Sequence, residues 1–348
     1  MSISHDNPLT DRQTDRQTDR QTDRQTGLSA SESYKIQVLR GLAIIAVVFI
    51  HNTPLGISQV VIRPFLNFCV GLFLFLSGML SDTKSWKPLK RITKVLIPYV
   101  VWTLIYVFLS SYRTPLEIPI LFMKKLILGK AAAVMYYVFV YCEFTFLIPL
   151  IDKLARSKYR YWGFAIAPLE IVVMSLVPML LGIEFNKYIN AFRDISCLAW
   201  FTYFYLGYMM GNKIIEINWS EKKVLLIWAI SIVLQMGEGY WYMCLGETNC
   251  GTQVKLSSII SGALFAIMAY QFIHSNRESH NAALKKLGDI SFGIFFSHLA
   301  VMLVLGILPF YNSLVPYPIN AIVVIIVTSI CVCAGRRVLG KYAKYMAL

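Results

Sequence analysis

The residues best suited to chemistry sit inside apolar sequence. Arg40 and His51 lie eleven residues apart in Arg40-Gly-Leu-Ala-Ile-Ile-Ala-Val-Val-Phe-Ile-His51. At about 100° and 1.5 Å per residue, a helix puts both on one face, roughly 16 Å apart along its axis. Ionisable groups within a bilayer are costly, so each is a candidate for function. An imidazole titrates near neutral pH and takes a proton readily from a hydroxyl, and an arginine on the same face supplies a fixed cation. The bland alternative has Arg40 snorkelling to one interface and His51 to the other, and the spacing does not choose between the two. Glu143, Glu170 and Glu238 also fall in apolar stretches. Each is either a carboxylate that orients His51 or binds hydroxyls, or a neutral, hydrogen-bonded carboxyl of the interior, the expectation for Glu170. Tyr137 and Tyr141, one helical turn apart, would offer a sugar a stacking face with two hydroxyls, although aromatics are common at any membrane interface.

The elements that must position these groups are membrane helices. Apolar residues make up 57% of the 348-residue chain, more than one soluble core of this length requires. Stretches of nearly uncharged sequence at 36–53, 60–80, 95–112, 131–151, 161–183, 195–211, 224–244, 256–274, 290–310 and 318–338 approach or reach the roughly 20 residues needed to cross a bilayer. Backbone polar groups in lipid must be paired within the chain, so the expected fold is an all-α membrane bundle of about ten transmembrane helices. It occupies residues 34–340, between a tail at 1–33 and a short one at 341–348.

The net charge of +14 would suit a nucleic-acid binder, but its distribution argues against one. With ten spans, 25 of the 33 Lys and Arg residues fall on one side, and the positive-inside rule puts both termini in the cytoplasm. Arg63, Arg113, Lys124, Lys125, Lys130, Lys187, Arg193 and Lys255 fall on the other side, and the segment 120–128 among them reads as an interfacial amphipathic helix. The seven cysteines show no CxxC pair and no metal-ligand spacing, so no metal is expected. Cys244 and Cys250 share a predicted outer loop, where they are either bridged or free.

Residues 11–26 are four copies of Asp-Arg-Gln-Thr, a hydrophilic tract with nothing to bury. The codons GAC-AGA-CAG-ACA spell this tetrapeptide and also the tetranucleotide GACA in tandem. Tracts of that kind change length by polymerase slippage, which shifts the reading frame and switches expression. The alternative is a tolerated low-complexity tail with mixed codons.

Taken in order, the motifs resemble the acyltransferase 3 family of integral membrane proteins. Arg40 to His51 is similar to that family's Arg-x10-His signature, and Phe68-Cys-Val-Gly-Leu-Phe-Leu-Phe-Leu-Ser-Gly78 to its Phe-rich stretch ending in Ser-Gly. Lys90-Arg-Ile-Thr-Lys-Val-Leu-Ile-Pro-Tyr99 resembles its basic pair before Pro-Tyr, with Arg91 and Lys94 where many members have two arginines. Tyr136-Tyr-Val-Phe-Val-Tyr141, running to Pro149-Leu-Ile, and Ile290-Ser-Phe-Gly-Ile-Phe-Phe-Ser-His298 extend the likeness over 34–337.

The resemblance implies a bacterial inner-membrane enzyme that transfers an acyl group, usually acetyl, from cytoplasmic acetyl-CoA to a hydroxyl of a surface polysaccharide, lipopolysaccharide or other glycolipid. In that reading Lys90, Arg91 and Lys94 bind the phosphates of coenzyme A, Arg40 holds a phosphate or the thioester end, and His51 is the base or first acyl acceptor, with Glu143 a partner that orients it. Tyr137, Tyr141 and His298 are then acceptor-side candidates, and a frame-switched gene would suit a surface trait. The rival reading is a transporter or exporter of a polar substrate, because buried charge in a helical bundle also suits alternating access. A non-catalytic membrane scaffold is the third.

Overall fold

The computed structural model describes residues 29–272, 281–309 and 311–348. The tetrapeptide repeat, and with it His274 and His280, lies outside the described residues. Among those described there is helix and no strand. The helices are α1 (Ala30–Asn52), α2 (Ile57–Met79, interrupted by a 3-10 turn at Arg63–Phe65), α3 (Pro88–Ser111), α4 (Ile118–Leu128), α5 (Tyr136–Ala155), α6 (Arg160–Leu181) and α7 (Lys187–Ile195). They continue with α8 (Phe201–Gly211), α9 (Glu221–Cys244), α10 (Leu256–Phe272), α11 (Ala282–Asp289), α12 (Ser291–Ile307) and α13 (Ile319–Leu339).

Six described helical runs are long and apolar enough to cross a membrane: α1, α2, α3, α6, α9 and the run that α13 begins. A seventh is reached if α11 and α12, bent by 76° at Ile290, count as one span. The expected count of ten is larger because apolar composition alone does not separate a span from a short interior helix. The stretch 195–211 became α8, an eleven-residue helix with nine residues buried, and the described part of 256–274 is helical as α10 up to Phe272. The stretch at 131–151 begins as turns, and its helix α5 runs on into the charged residues Asp152 and Lys153. The molecule is thus a multi-pass helical membrane protein with several helices enclosed by others.

Small residues set how closely these helices approach, as is usual where lipid supplies no hydrophobic drive between them. A methyl group on Gly41 would strike the Leu284 carbonyl, and one on Gly288 the Gln37 carbonyl, so α1 and α11 touch backbone to backbone beside Arg40. Gly78 and Gly207 do the same for α2 and α8. Serine starts α1 through a reciprocal cap. Ser29 Oγ accepts from the Glu32 N–H at 3.2 Å, and the Glu32 carboxylate accepts from the Ser29 N–H at 3.0 Å.

The segment expected to lie at an interface forms α4, with Ile120, Met123 and Ile127 exposed and Tyr99 of α3 donating to the Leu126 carbonyl. Cys244 and Cys250 are free thiols. Cys244 is exposed, whereas Cys250 is buried with its Sγ 3.7 Å from the Gly56 carbonyl, so the bridged alternative is not the one formed.

Candidate functional site

α1 is unbroken from Ala30 to Asn52, so Arg40 and His51 ride on one rigid rod. Both are set against the α11–α12 pair. At one end the imidazole of His51 lies 5.4 Å from that of His298 on α12, centre to centre. At the other, the Arg40 guanidinium interacts electrostatically with Asp289, where α11 meets α12, and with Tyr137 and Tyr141 of α5. Neither group snorkels: Arg40 and His51 are both half-buried against other helices.

His51 lines two cavities. The larger, about 690 Å³, is walled by Arg63, Tyr136, Glu170, Arg193, Trp200 and Gln253 among others, and it reaches the exposed residues Lys130, Glu247 and Asn249. The smaller, about 80 Å³, continues inward past Val47 and Val70 to Phe295 and shares His51, Tyr136 and Gln253 with the first. Tyr136 and Trp200 stack with ring centres 5.8 Å apart. The larger wall mixes charges of both signs. Asp194 meets Lys130 at 3.4 Å and Arg193 at 3.7 Å, Arg63 donates to the Asn249 side-chain oxygen at 2.9 Å, and one Glu170 oxygen is buried with no partner. A wall of mixed donors and acceptors with stacked aromatic rings can hold a polyol, and the imidazole at its floor can accept a proton.

His298 is fully buried, and its Nδ1 stands 2.9 Å from the Ile294 carbonyl and 3.0 Å from that of Phe295. A carbonyl can only accept, so Nδ1 carries the proton and the neutral ring presents Nε2 as a bare acceptor. That Nε2 has no protein partner. Tyr106 of α3 fixes this part of α12 by donating to the Phe296 carbonyl at 2.7 Å and accepting from the Ala300 N–H at 3.1 Å. Between the two ends of the rod lie aromatic rings: Phe295, which closes the smaller cavity, is 5.3 Å from Tyr137, and Tyr137 stacks on Tyr141 at 6.5 Å.

The other expected site residues divide. Tyr137 and Tyr141 lie beside Arg40, and Tyr141 also interacts electrostatically with Arg91, so the pair belongs to the Arg40 end and not to the wall of the larger cavity. Arg91 is already engaged, donating to the Leu80 carbonyl and to Ser81 Oγ at 3.1 Å each. Lys90 and Lys94 are exposed on the first turns of α3. Glu143 is not part of the His51 cavities. Its carboxylate accepts from the Cys197 N–H at 2.7 Å and caps the turn that leads into α8. Glu238 likewise accepts from the N–H groups of Leu256 and Ser257, capping α10. Glu170 differs from its expectation: one of its oxygens is an unpaired acceptor in the wall of the larger cavity.

Sequence reasoning passed over Arg63, Lys130 and Arg193 as site residues, although their signal was present as positive charge against the topological trend. Gln253 and Trp200 carried no such mark. Among the described residues no group of histidine, cysteine or acidic side chains could hold a metal.

One family model, described as an acyltransferase domain, matches residues 33–336. No curated protein and no solved structure matches the chain significantly.

Proposed function

Since the chain belongs to the acyltransferase 3 family of membrane proteins, we propose that it transfers acetyl from acetyl-CoA to a hydroxyl of a cell-surface polysaccharide or lipopolysaccharide. The acceptor enters the larger cavity and the donor arrives from the Arg40 end, which faces the cytoplasm in this reading. His51 takes the proton as the hydroxyl oxygen attacks the thioester carbonyl. The carbonyl then reforms, the carbon–sulfur bond breaks, and the imidazolium returns the proton to the departing thiolate, leaving an ester and free coenzyme A. His298, its tautomer fixed by two backbone carbonyls, holds the His51 ring in place. Arg40, with Tyr137 and Tyr141 around it, receives the charged arm of the donor, and the exposed Lys90 and Lys94 meet its phosphates. Arg91 acts by holding the start of α3 against the turn at Leu80 and Ser81. Glu143 acts on architecture alone.

The observation that carries this reading is a half-buried histidine at the floor of an open, polar and aromatic cavity, packed against a second histidine of fixed tautomer. Membranes containing the protein, given acetyl-labelled acetyl-CoA and the host's surface glycolipid extract, should form alkali-labile labelled ester. His51→Ala should not. If His51→Ala acetylates normally and movement of the glycan across the membrane is lost instead, the chain is a transporter. The repeat at 11–26 is read as a GACA expression switch; sequencing the gene in several isolates should show tracts that differ in unit number.

A further inference from the structure

The two cavities at His51 share two polar side chains that no step above uses, Tyr136 and Gln253, and of the two only Gln253 carries amide N–H donors on a loop. Gln253 lines both. Its Oε1 accepts from the Cys69 thiol at 3.6 Å, which orients the amide, and Nε2 donates to no described residue, so an N–H group is open to a ligand. The backbone that carries it is fixed on every side. Asn67 Nδ2 donates to the Gly251 and Thr252 carbonyls at 3.3 and 3.4 Å, Gln59 accepts from the Gly251 N–H at 3.4 Å, and Thr252 Oγ1 accepts from the Val254 N–H at 3.1 Å. Lys255, fully buried, donates to the Cys250 and Gln235 carbonyls at 3.3 and 3.2 Å. Gly251 has no room for a side chain, since a Cβ there would lie 2.6 Å from Arg63 Cδ and 2.7 Å from Gln59 Cβ. A loop tied this firmly is a preorganised support, and a preorganised donor is worth most where charge develops during reaction.

We propose that Gln253 is the oxyanion donor of the transfer, a catalytic residue that works opposite His51. The inference rests on the acyl-transfer reading above. When the hydroxyl oxygen bonds to the thioester carbon and its proton passes to His51, the carbonyl electron pair moves onto oxygen. Gln253 Nε2–H donates to that oxygen until the pair returns, the carbon–sulfur bond breaks and the thiolate takes the proton from His51. The smaller cavity, between His51, Cys69, Val70 and Gln253, is where the reacting carbonyl sits.

Removing one such donor typically lowers the turnover rate on the order of 10²-fold or more. Gln253→Met, which keeps the shape and lacks the donor, should therefore lower kcat on the order of 10²-fold in the labelled acetyl-CoA assay, with both KM values within about threefold. Gln253→Glu, which sets a carboxylate against the oxyanion, should lose at least as much, and Gln253→His, which keeps an N–H, should recover part of the rate. Binding of acetyl-CoA to each purified variant checks that the bundle is intact. Unchanged kcat in Gln253→Glu, or an unchanged kcat with a raised acceptor KM in Gln253→Met, overturns the proposal and makes Gln253 a sugar contact. Activity surviving in His51→Ala, run in parallel, would instead sink the acyl-transfer reading on which it rests.

Discussion

The two ends of α1 are furnished by different kinds of structure. Around Arg40 the neighbours are Tyr137 and Tyr141 from the first turns of α5 and Asp289 from the last turn of α11. Around the larger His51 cavity about half of them come from breaks, turns and connections: Arg63 from the 3-10 turn within α2, Lys130 from the residues after α4, and Glu247, Asn249 and Gln253 from the link between α9 and α10. Helices hold a fixed geometry, while connections tolerate changes of length and side chain. The lesson is one of division of labour. In the proposed transfer, a donor common to many reactions suits the helical end, and an acceptor that varies from one surface to the next suits the end richer in connections.

Substitutions at the centre should break both halves at once. His51→Ala is expected to show the largest effect, a loss of transfer on the order of 10³-fold, since general base catalysis contributes about 10²–10⁴-fold. The loss should be the same on every acceptor tested, because the proton must move whatever sugar carries it. A variant that loses one glycan and keeps another would reassign His51 to recognition.

Arg40→Ala comes next and bears on the helical half alone. Removing the cation should weaken donor capture, with KM for acetyl-CoA rising roughly 10-fold or more and the acceptor KM unmoved. Arg40→Lys should restore only part, since the ammonium keeps charge and loses the planar fork. Equal changes in both KM values would erase the distinction between the two ends. His298→Gln is a smaller perturbation. The amide keeps a donor and an acceptor but has neither the ring that packs on His51 nor a titratable nitrogen, and kcat should fall roughly 10-fold with the pH profile of kcat displaced. A profile left in place, with only lowered thermal stability, would make His298 a packing residue.

Much of this arrangement was legible in the chain. The Arg40–His51 spacing placed both on one face, and both do meet the α11–α12 pair. Among the described residues six or seven runs have span length, against the ten expected, in part because α8 is as apolar as a span and about half its length, enclosed by neighbours through Gly207 and Gly78. A hydropathy pattern records that a residue avoids water and says nothing of whether lipid or protein replaces it. The site suffered in the other direction. Gln253 became a candidate only when the fold brought its loop under Asn67 and beside His51, a contact between segments almost two hundred residues apart. Tyr137 and Tyr141 read as sugar-binding aromatics until α5 set them beside Arg40. Register within one helix can be read along the chain, whereas the partner across a helix interface cannot.

Glu143 gives the sharpest test of that last point, because a carboxylate in an apolar stretch invites a catalytic role that its surroundings do not support. Its oxygen accepts the Cys197 N–H at 2.7 Å, just ahead of the turn at Leu198–Trp200 that opens α8. Cys197 and the turn residues Ala199 and Trp200 are buried, so without the carboxylate the Cys197 N–H loses its partner where water is scarce. Leaving a buried donor unpaired costs about 1–3 kcal/mol. Glu143→Ala should therefore lower the thermal unfolding midpoint of the purified protein, while kcat and both KM values per folded molecule remain within about twofold. Glu143→Gln, whose side-chain oxygen can still accept that bond, should recover most of the stability. A drop in kcat common to both variants, with the unfolding midpoint unchanged in Glu143→Gln, would return the carboxylate to the reaction and place part of the proton path in α5.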